Sequence, residues 1–360
     1  MTLASGWTRP TTSKIGVTTS TTLTRGHHHL LFVYDEGRLS LSTRGFRSLT
    51  YLNSRDLKGG EEEQSDDLEP HIFSGTVDIL DRGAHHVVVS KPPSVVCHHS
   101  EWSGSRSSKR QRCELEVPML QRTREAVGER VNLVHRLDRG ASGCLLLTLA
   151  KSDDMSLNVN ATATLQQAMT TATKTYVALV RGEGILKGRD FKKEGWFEVS
   201  RPIKDERGRE NDATTFFRFI AGQDNGNGTI DRPRASIVLA RPKSGRWHQI
   251  RKHLNGLSHP IIGDSSHGNS KVNREWKRKY GLAPERTCLH LLQLEMDATS
   301  ACPEGVRVTS PLANDMKNIL QEHLPAVLEE AKEALKEEGL DFDVSTQDIM
   351  SIPVSFETSG

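Results

Sequence analysis

The sequence has no uninterrupted apolar run approaching the roughly 18 residues that a membrane-spanning helix needs. A soluble chain with no membrane partner is therefore expected. Cysteine is sparse: Cys97, Cys113, Cys144, Cys288 and Cys302 are scattered, odd in number and nowhere spaced as C-x-x-C. That pattern fits neither a disulfide framework nor a structural zinc site, and it suits a reducing compartment. Several familiar catalytic signatures are missing too. There is no G-x-x-x-x-G-K-[ST] and no strand-linked G-x-G-x-x-G. The glycines flanking Ser142 come too close together for a nucleophile elbow. His248 and His253 are five apart, where a shared metal in H-E-x-x-H requires four. No internal repeat is visible.

What the chain does have is charge, unevenly spread. The net charge is only +2 over 360 residues. From Arg241 to Arg286, however, eleven Lys or Arg face only Asp264, Glu275 and Glu285. From Glu322 to Asp348 the balance reverses, with nine acids against Lys332 and Lys336. A basic middle suits a polyanionic partner, although any one charge run is usually just a solvated face. The first fifty residues are crowded with Ser and Thr, carry Arg9, Lys14, Arg25, Arg38, Arg44 and Arg47, and hold no acid before Asp35. This composition predicts a disordered N-terminal extension over residues 1–70, of organellar transit-peptide type, with the mitochondrion favoured over the plastid. An ordinary disordered extension of a cytoplasmic protein is the plainer alternative. The three histidines from His27 to His29 have no partners at ligand spacing, so no metal is expected there.

Folded sequence begins near Ile72, and the basic domain is predicted to span residues 71–322, followed by an acidic helix and tail over 323–360. "HHVVVSKPPSVVCHH" reads as strand, Pro-Pro turn, strand. A basic, Ser-rich loop and a helix from Glu114 to Val127 come next. "CLLLTL", "KTYVALVRG", "TTFFRFI", "ASIVLARP" and "CLHLLQLEM" read as strands. "RWHQIRKHL" has helical spacing, and Leu312 to Leu340 is a charged amphipathic helix with a break at Pro325. Helices interspersed with hairpins predict an α+β fold on a mixed, largely antiparallel sheet.

One stretch resists a purely structural reading. In "NLVHRLDRGASGCLLLTLAK" an Arg and a carboxylate crowd a side-chain-poor bend at the mouth of a buried strand, where a chain normally sheds its charges. "HRLDRGASG" resembles the H-R-L-D-x-x-T-S-G signature of the RluA family of pseudouridine synthases. "KTYVALVRG" is similar to that family's K-x-Y-x-A-x-V-x-G. "GRWHQIRKHLNGLSHPIIGDSSHG" resembles its G-R-x-H-Q-[IL]-R-x-H followed by H-P-I-x-G-D, and "VVVSKPP" resembles its opening strand. The four motifs stand in the family's order from about residue 76 to 320. The unbroken "HPIIGDSSHG" with "NREW" looks most like the tRNA pseudouridine synthase C branch. Ala141 departs from the usual Thr, and Leu291 from the usual Ala.

The resemblance implies an RNA pseudouridine synthase acting on a uridine of structured RNA, tRNA before rRNA, as a monomer. Isomerising uridine breaks the C1′–N1 bond, rotates the uracil and rejoins it through C5. Nothing is oxidised and no group leaves, so no cofactor and no metal are expected. A carboxylate is a natural partner for a sugar centre developing positive charge. The resemblance makes Asp138 that nucleophile, stacks Tyr176 on the uracil with a share in proton removal, and pairs Arg251 with Asp138. It also puts Arg136 in the place the flipped base vacates and lets Leu289 close the pocket. Arg246, His248, Lys252 and His253 are expected to contact RNA phosphates. His259 is expected to orient the turn at Pro260. Two rivals stand beside this reading: a catalytically inactive RNA binder on the same scaffold, and a glycosidase, which would need a second carboxylate within roughly 5 to 9 Å of Asp138. No S4-type RNA-binding domain is recognisable before residue 76.

Overall fold

Runs such as Val87–Val89 and Cys144–Leu147 are apolar without alternation, the pattern of strands covered on both faces. A computed structural model of the chain places them at the centre of one large sheet. The structure describes residues 20–25, 28–35, 38–43, 50–53, 71–98, 116–150, 155–205, 207–223, 233–343 and 349–358. Two compact units result, Met1–Leu68 and Glu69–Gly360. The first holds four strands, β1 Ser20–Arg25, β2 His28–Asp35, β3 Arg38–Thr43 and β4 Thr50–Asn53, paired in chain order as an antiparallel meander. Residues 1–70 therefore contain paired strands where composition predicts a disordered segment. The transit-peptide reading of residues 1–19 lies outside the described residues.

The second unit carries β5 His71–Arg82, β6 His86–Lys91, α1 Met119–Val127, β7 Arg130–Leu133, β8 Ser142–Ala150, α2 Met155–Ala168 and β9 Thr173–Arg181. Two short pairs follow, β10 Ile185–Leu186 with β11 Arg189–Asp190, and β13 Ile203–Lys204 with β14 Glu210–Asn211. Around them come β12 Phe197–Ser200, β15 Thr214–Gly222, β16 Ala235–Pro242, α3 Gln249–Gly256 and α4 Ser270–Lys279. The chain ends with β17 Leu289–Met296, β18 Val306–Thr309, α5 Asn314–His323, α6 Pro325–Glu337 and β19 Met350–Thr358. The main sheet runs β12-β15-β16-β9-β17-β8-β6-β5-β19, with β18 on β17 and β7 on β8. Every pairing in it is antiparallel except β17 with β8. The fold is thus α+β on a mixed, largely antiparallel sheet, as the patterning implies. Among the described residues no helix is long and apolar enough to cross a membrane.

Two hydrophobic clusters fill the unit. One gathers Phe217, Phe219 and Val238 with Leu254, Met316 and Leu328; the other gathers Val88, Leu146 and Leu165 with Met296. Tyr176 packs against both, so it stands at their seam.

Three expectations need correction. The helix read from Glu114 begins at Met119, because Pro118 lacks the N–H an earlier turn would donate and adopts extended φ and ψ. No strand follows the Pro92–Pro93 turn; instead the Val96 and Cys97 carbonyls accept the first free amides of α1, from Met119 and Leu120. The segment 323–360 is built into the domain, not appended to it. Val327, Leu328, Ala331 and Leu335 of α6 are buried, and β19 pairs with β5 from Ile79 to His71. The helix does break where expected, with Pro325 at the first position of α6. The Ser-rich basic loop at residues 103–112 lies outside the described residues.

Candidate active site

The bend before β8 is shaped by close backbone approach. Gly143 has φ of +111°, and a Cβ there would stand 2.2 Å from the Leu291 carbonyl oxygen. At Gly140 a Cβ would stand 2.5 Å from the Glu285 carbonyl oxygen. The small residues therefore let β8 run beside β17 in the one parallel pairing, at His290 with Ser142 and Leu291 with Gly143.

Three consecutive carbonyls of this bend turn inward onto buried cations. Lys91, with no exposed surface, donates to the Arg139 carbonyl at 3.1 Å, the Ala141 carbonyl at 2.7 Å and its neighbour Pro92 at 2.7 Å. Arg286, 1% exposed, donates to the Gly140 carbonyl at 2.7 Å and to Ser142 Oγ at 2.9 Å, and pairs with Asp315 of α5 at 2.7 Å. Burial pushes the Lys91 ammonium down to about 7. With these carbonyls satisfied inside, the Asp138 side chain faces the cavity on the other side of the bend.

Asp138 Oδ2 accepts from Arg251 Nη1 at 2.7 Å. Arg251 in turn donates to both oxygens of Asp264, from Nε at 2.7 Å and Nη2 at 2.6 Å. Asp264 also accepts from the backbone amides of Ser266 and His267, at 2.9 Å each. Burial raises the Asp264 carboxyl, but the Arg251 hydrogen bonds more than offset this and leave it below the ordinary carboxylate value. Arg251 is held above its ordinary value by the two carboxylates, against the effect of its own burial. The result is a fixed guanidinium, braced from behind by a buried carboxylate, that aims its remaining donor at Asp138.

His248 caps α3 with a left-handed φ of 56° and no side-chain capping bond. Its Nδ1 shares a hydrogen bond with His267 Nε2 at 2.9 Å, and its Nε2 stands 3.8 Å from Asp138 Oδ2. Burial, with Arg251 and His267 nearby, pushes it down to about 4 even though Asp138 pulls the other way. Burial first, and then Asp138, push the Tyr176 phenol above its ordinary value.

Seven of the nine residues given catalytic or RNA-contacting roles from the sequence line one cavity: Asp138, Tyr176, Arg251, Leu289, Arg136, Arg246 and His248. Its volume is about 120 Å³, base-sized and well below the range of drug-sized ligand sites. It opens into a cleft of about 1100 Å³ whose walls include Arg136, Lys174, Lys243 and Arg246. The other two, Lys252 and His253, lie outside the cavity. The Lys252 amine donates to the Lys204 carbonyl at 2.7 Å and sits 4.1 Å from the Trp247 ring centre, so its geometry does not support a phosphate contact. Arg246 is exposed and reaches the Asp212 carbonyl at 3.3 Å. His253 is fully buried between Thr215 and the Arg201 carbonyl, so it belongs to the core and not, as expected, to the phosphate contacts. His259 ties the turn to the sheet, sharing hydrogen bonds with the Leu257 carbonyl and the Gly184 amide.

Asp264, Arg286 and Lys91 are the residues sequence reasoning missed. Asp264 and Lys91 stood inside quoted motifs without a role; Arg286 carried no signal beyond its place before "TCLH". The second carboxylate that a glycosidase would need is not supplied by Asp264, which is 1% exposed behind Arg251. Among the described residues no three His, Cys, Asp or Glu side chains are grouped to hold a metal.

Residues 85–256 match a family model described as RNA pseudouridylate synthase. That range includes Asp138, Tyr176 and Arg251; Asp264, Arg286 and Leu289 lie beyond it. A tRNA pseudouridine synthase C of Yersinia pestis is 31% identical over 227 residues, covering 61% of this chain and 81% of that protein. One of Pectobacterium carotovorum subsp. carotovorum is 29% identical over 228 residues and 61% of this chain, which spans only 55% of that relative's length. Among solved structures, Human RNA Pseudouridylate Synthase Domain Containing 1 aligns at 22% identity and a TM-score of 0.45, over 65% of this chain and 83% of that one.

Proposed function

Because the chain belongs to the RNA pseudouridylate synthase family, a family of isomerases, we propose that it converts a uridine in tRNA to pseudouridine with Asp138 as nucleophile. The observation that carries this reading is the Asp138–Arg251–Asp264 chain at the wall of a base-sized cavity that Tyr176 and Leu289 also line. The substrate follows from the names of the bacterial relatives, which specify tRNA.

The chemistry balances without a second reactant. The Asp138 carboxylate attacks C1′ and displaces uracil through N1. The freed base turns within the cavity, C5 rejoins C1′, and the carboxylate is released. Over the whole reaction the proton leaves C5 and N1 gains one. Among the described residues Asp138 Oδ2 takes the Arg251 bond and Oδ1 takes none, so Oδ1 is the oxygen free to attack. A raised phenol keeps Tyr176 neutral at pH 7, which supports stacking on the uracil ahead of service as a resting base. Entry of the target costs a few kcal/mol of unstacking. The exposed Arg136 at the cavity mouth is placed to fill the gap the base leaves.

The test is Asp138→Asn, assayed by mapping pseudouridine in tRNA and by RNA binding. Turnover should vanish while circular dichroism and RNA affinity stay near wild type, because the charge is lost with little change of shape. Retained turnover would end the nucleophile assignment.

A further inference from the structure

The cleft has a side chamber that the reaction at Asp138 leaves unused. It encloses about 580 Å³, and Thr170, Lys174, Pro242 and Lys243 line both it and the cleft. Its walls carry two aromatic rings, Trp196 and Phe216, three cations and no acid.

The chamber is built, not incidental. Trp196 donates its indole N–H to Glu338 at 2.7 Å, and Arg241 donates to the same carboxylate at 3.1 Å and to Thr175 Oγ1 at 3.0 Å. The Arg241 guanidinium lies 4.3 Å from the Trp196 ring centre. Ring and guanidinium form one braced slab, so little side-chain entropy remains to be lost when a flat ligand stacks there. Beside the slab stands Phe216, the cross-strand partner of Arg241, with the Lys243 ammonium 5.6 Å from its ring centre. Lys243 itself is exposed. Aromatic faces interleaved with cations are how proteins hold unpaired nucleotides: the rings stack on the base and the cations meet the phosphate. Lys174, on the wall shared with the cleft, is two residues from Tyr176 on β9. Side chains two apart share a strand face and stand about 7 Å apart.

We propose that this chamber binds a second unpaired nucleotide of the substrate RNA, close in sequence to the uridine held at Tyr176. Its base stacks on the aromatic floor that the Trp196 slab and Phe216 form side by side, and its phosphate meets Lys243. The inference rests on the RNA reading above and adds to it a second point of recognition. Selectivity among uridines then depends on a neighbour that can also leave the helix, and not on the target alone.

The experiment uses the Asp138→Asn chain as a trap, bound to tRNA substrates carrying bromouridine either at the target or at a flanking position, followed by ultraviolet crosslinking and peptide mapping. The expected result is a crosslink to the Tyr176 peptide from the target and to the Trp196 or Phe216 peptide from a flanking position. If the target crosslinks at Tyr176 while no flanking position reaches Trp196 or Phe216, the chamber proposal falls and the catalytic reading stands. If the target does not crosslink at Tyr176, the catalytic reading itself fails. Phe216→Ala should weaken tRNA binding roughly tenfold, the effect of losing one stacked base. Should that variant misfold, the exposed Lys243→Glu serves instead, and it should weaken binding and lower the salt slope by about one. Wild-type affinity in the folded variant would overturn the proposal.

Discussion

Arg251 illustrates how much of a residue's role resides in its neighbours. One guanidinium joins the half-buried carboxylate proposed to react to a buried one that must not. Arg251→Met keeps the apolar stem but leaves Asp264 buried without its cation, an uncompensated charge of the kind that costs several kcal/mol. The double variant Arg251→Met/Asp264→Asn removes that charge and should recover much of the lost stability. It should not recover single-turnover rate, which is expected to stay down by orders of magnitude because Asp138 is no longer aimed. Thermal unfolding and single-turnover kinetics of the two variants check this, and recovery of both quantities together would reduce Arg251 to a structural ion pair. Lys91 gives a residue-scale pH effect. Burial holds it at about 7, against an ordinary 10.5. Between those values the unfolded chain binds a proton that the fold does not, so this group makes stability rise with pH across that window and contributes no slope below it. Denaturant unfolding of wild type and Lys91→Met should show the wild type gaining on the variant from pH 7 to about 9. Contributions shared by both chains, such as the raised thiols of Cys144 and Cys288, cancel in that difference. Parallel curves would mean Lys91 does not titrate there.

At the scale of elements, the strands were the legible part of the sequence. Uninterrupted apolar runs announced β6 and β8, and alternation announced β9, because burial on a pleated surface leaves that imprint directly. β19 left none: "MSIPVSFET" mixes Ser, Glu and Pro353, as suits a terminal strand of the sheet that is paired on β5 alone. Asp138, Tyr176 and Arg251 were legible through motifs, whereas Lys91 and Arg286 act on backbone carbonyls, which no side-chain pattern encodes. Arg286 also ties an element far from the reaction to the catalytic bend, since its partner Asp315 belongs to the first turn of α5. Asp315→Ala should leave Arg286 buried without its counter-charge and destabilise the unit by about 3 kcal/mol. It should also slow single-turnover isomerisation, because the Gly140 carbonyl loses a firmly held donor. Calorimetry with the kinetic assay tests both; an unchanged melting temperature would show that the pair contributes nothing.

At the scale of the whole molecule, the two units pose a question of address. The Ser/Arg-rich, acid-poor start supports a proposal of organellar import, to the mitochondrion before the plastid. Residues 1–70 fused to a fluorescent protein should localise to that organelle, and diffuse cytosolic fluorescence would count against the proposal. The pairing of β19 with β5 bears on how such a chain could travel. The strand that opens the catalytic unit finds its outer neighbour only among residues 350–358, at the other end of that unit. A sheet that closes through contacts so distant along the chain forms slowly, and it cannot be complete before residues 350–358 have left the ribosome. The unit would therefore emerge with its edge open and its core unsealed, a state that a translocation channel can thread and that a chaperone must shield. Closure of the sheet waits until the two ends of the unit are free to meet.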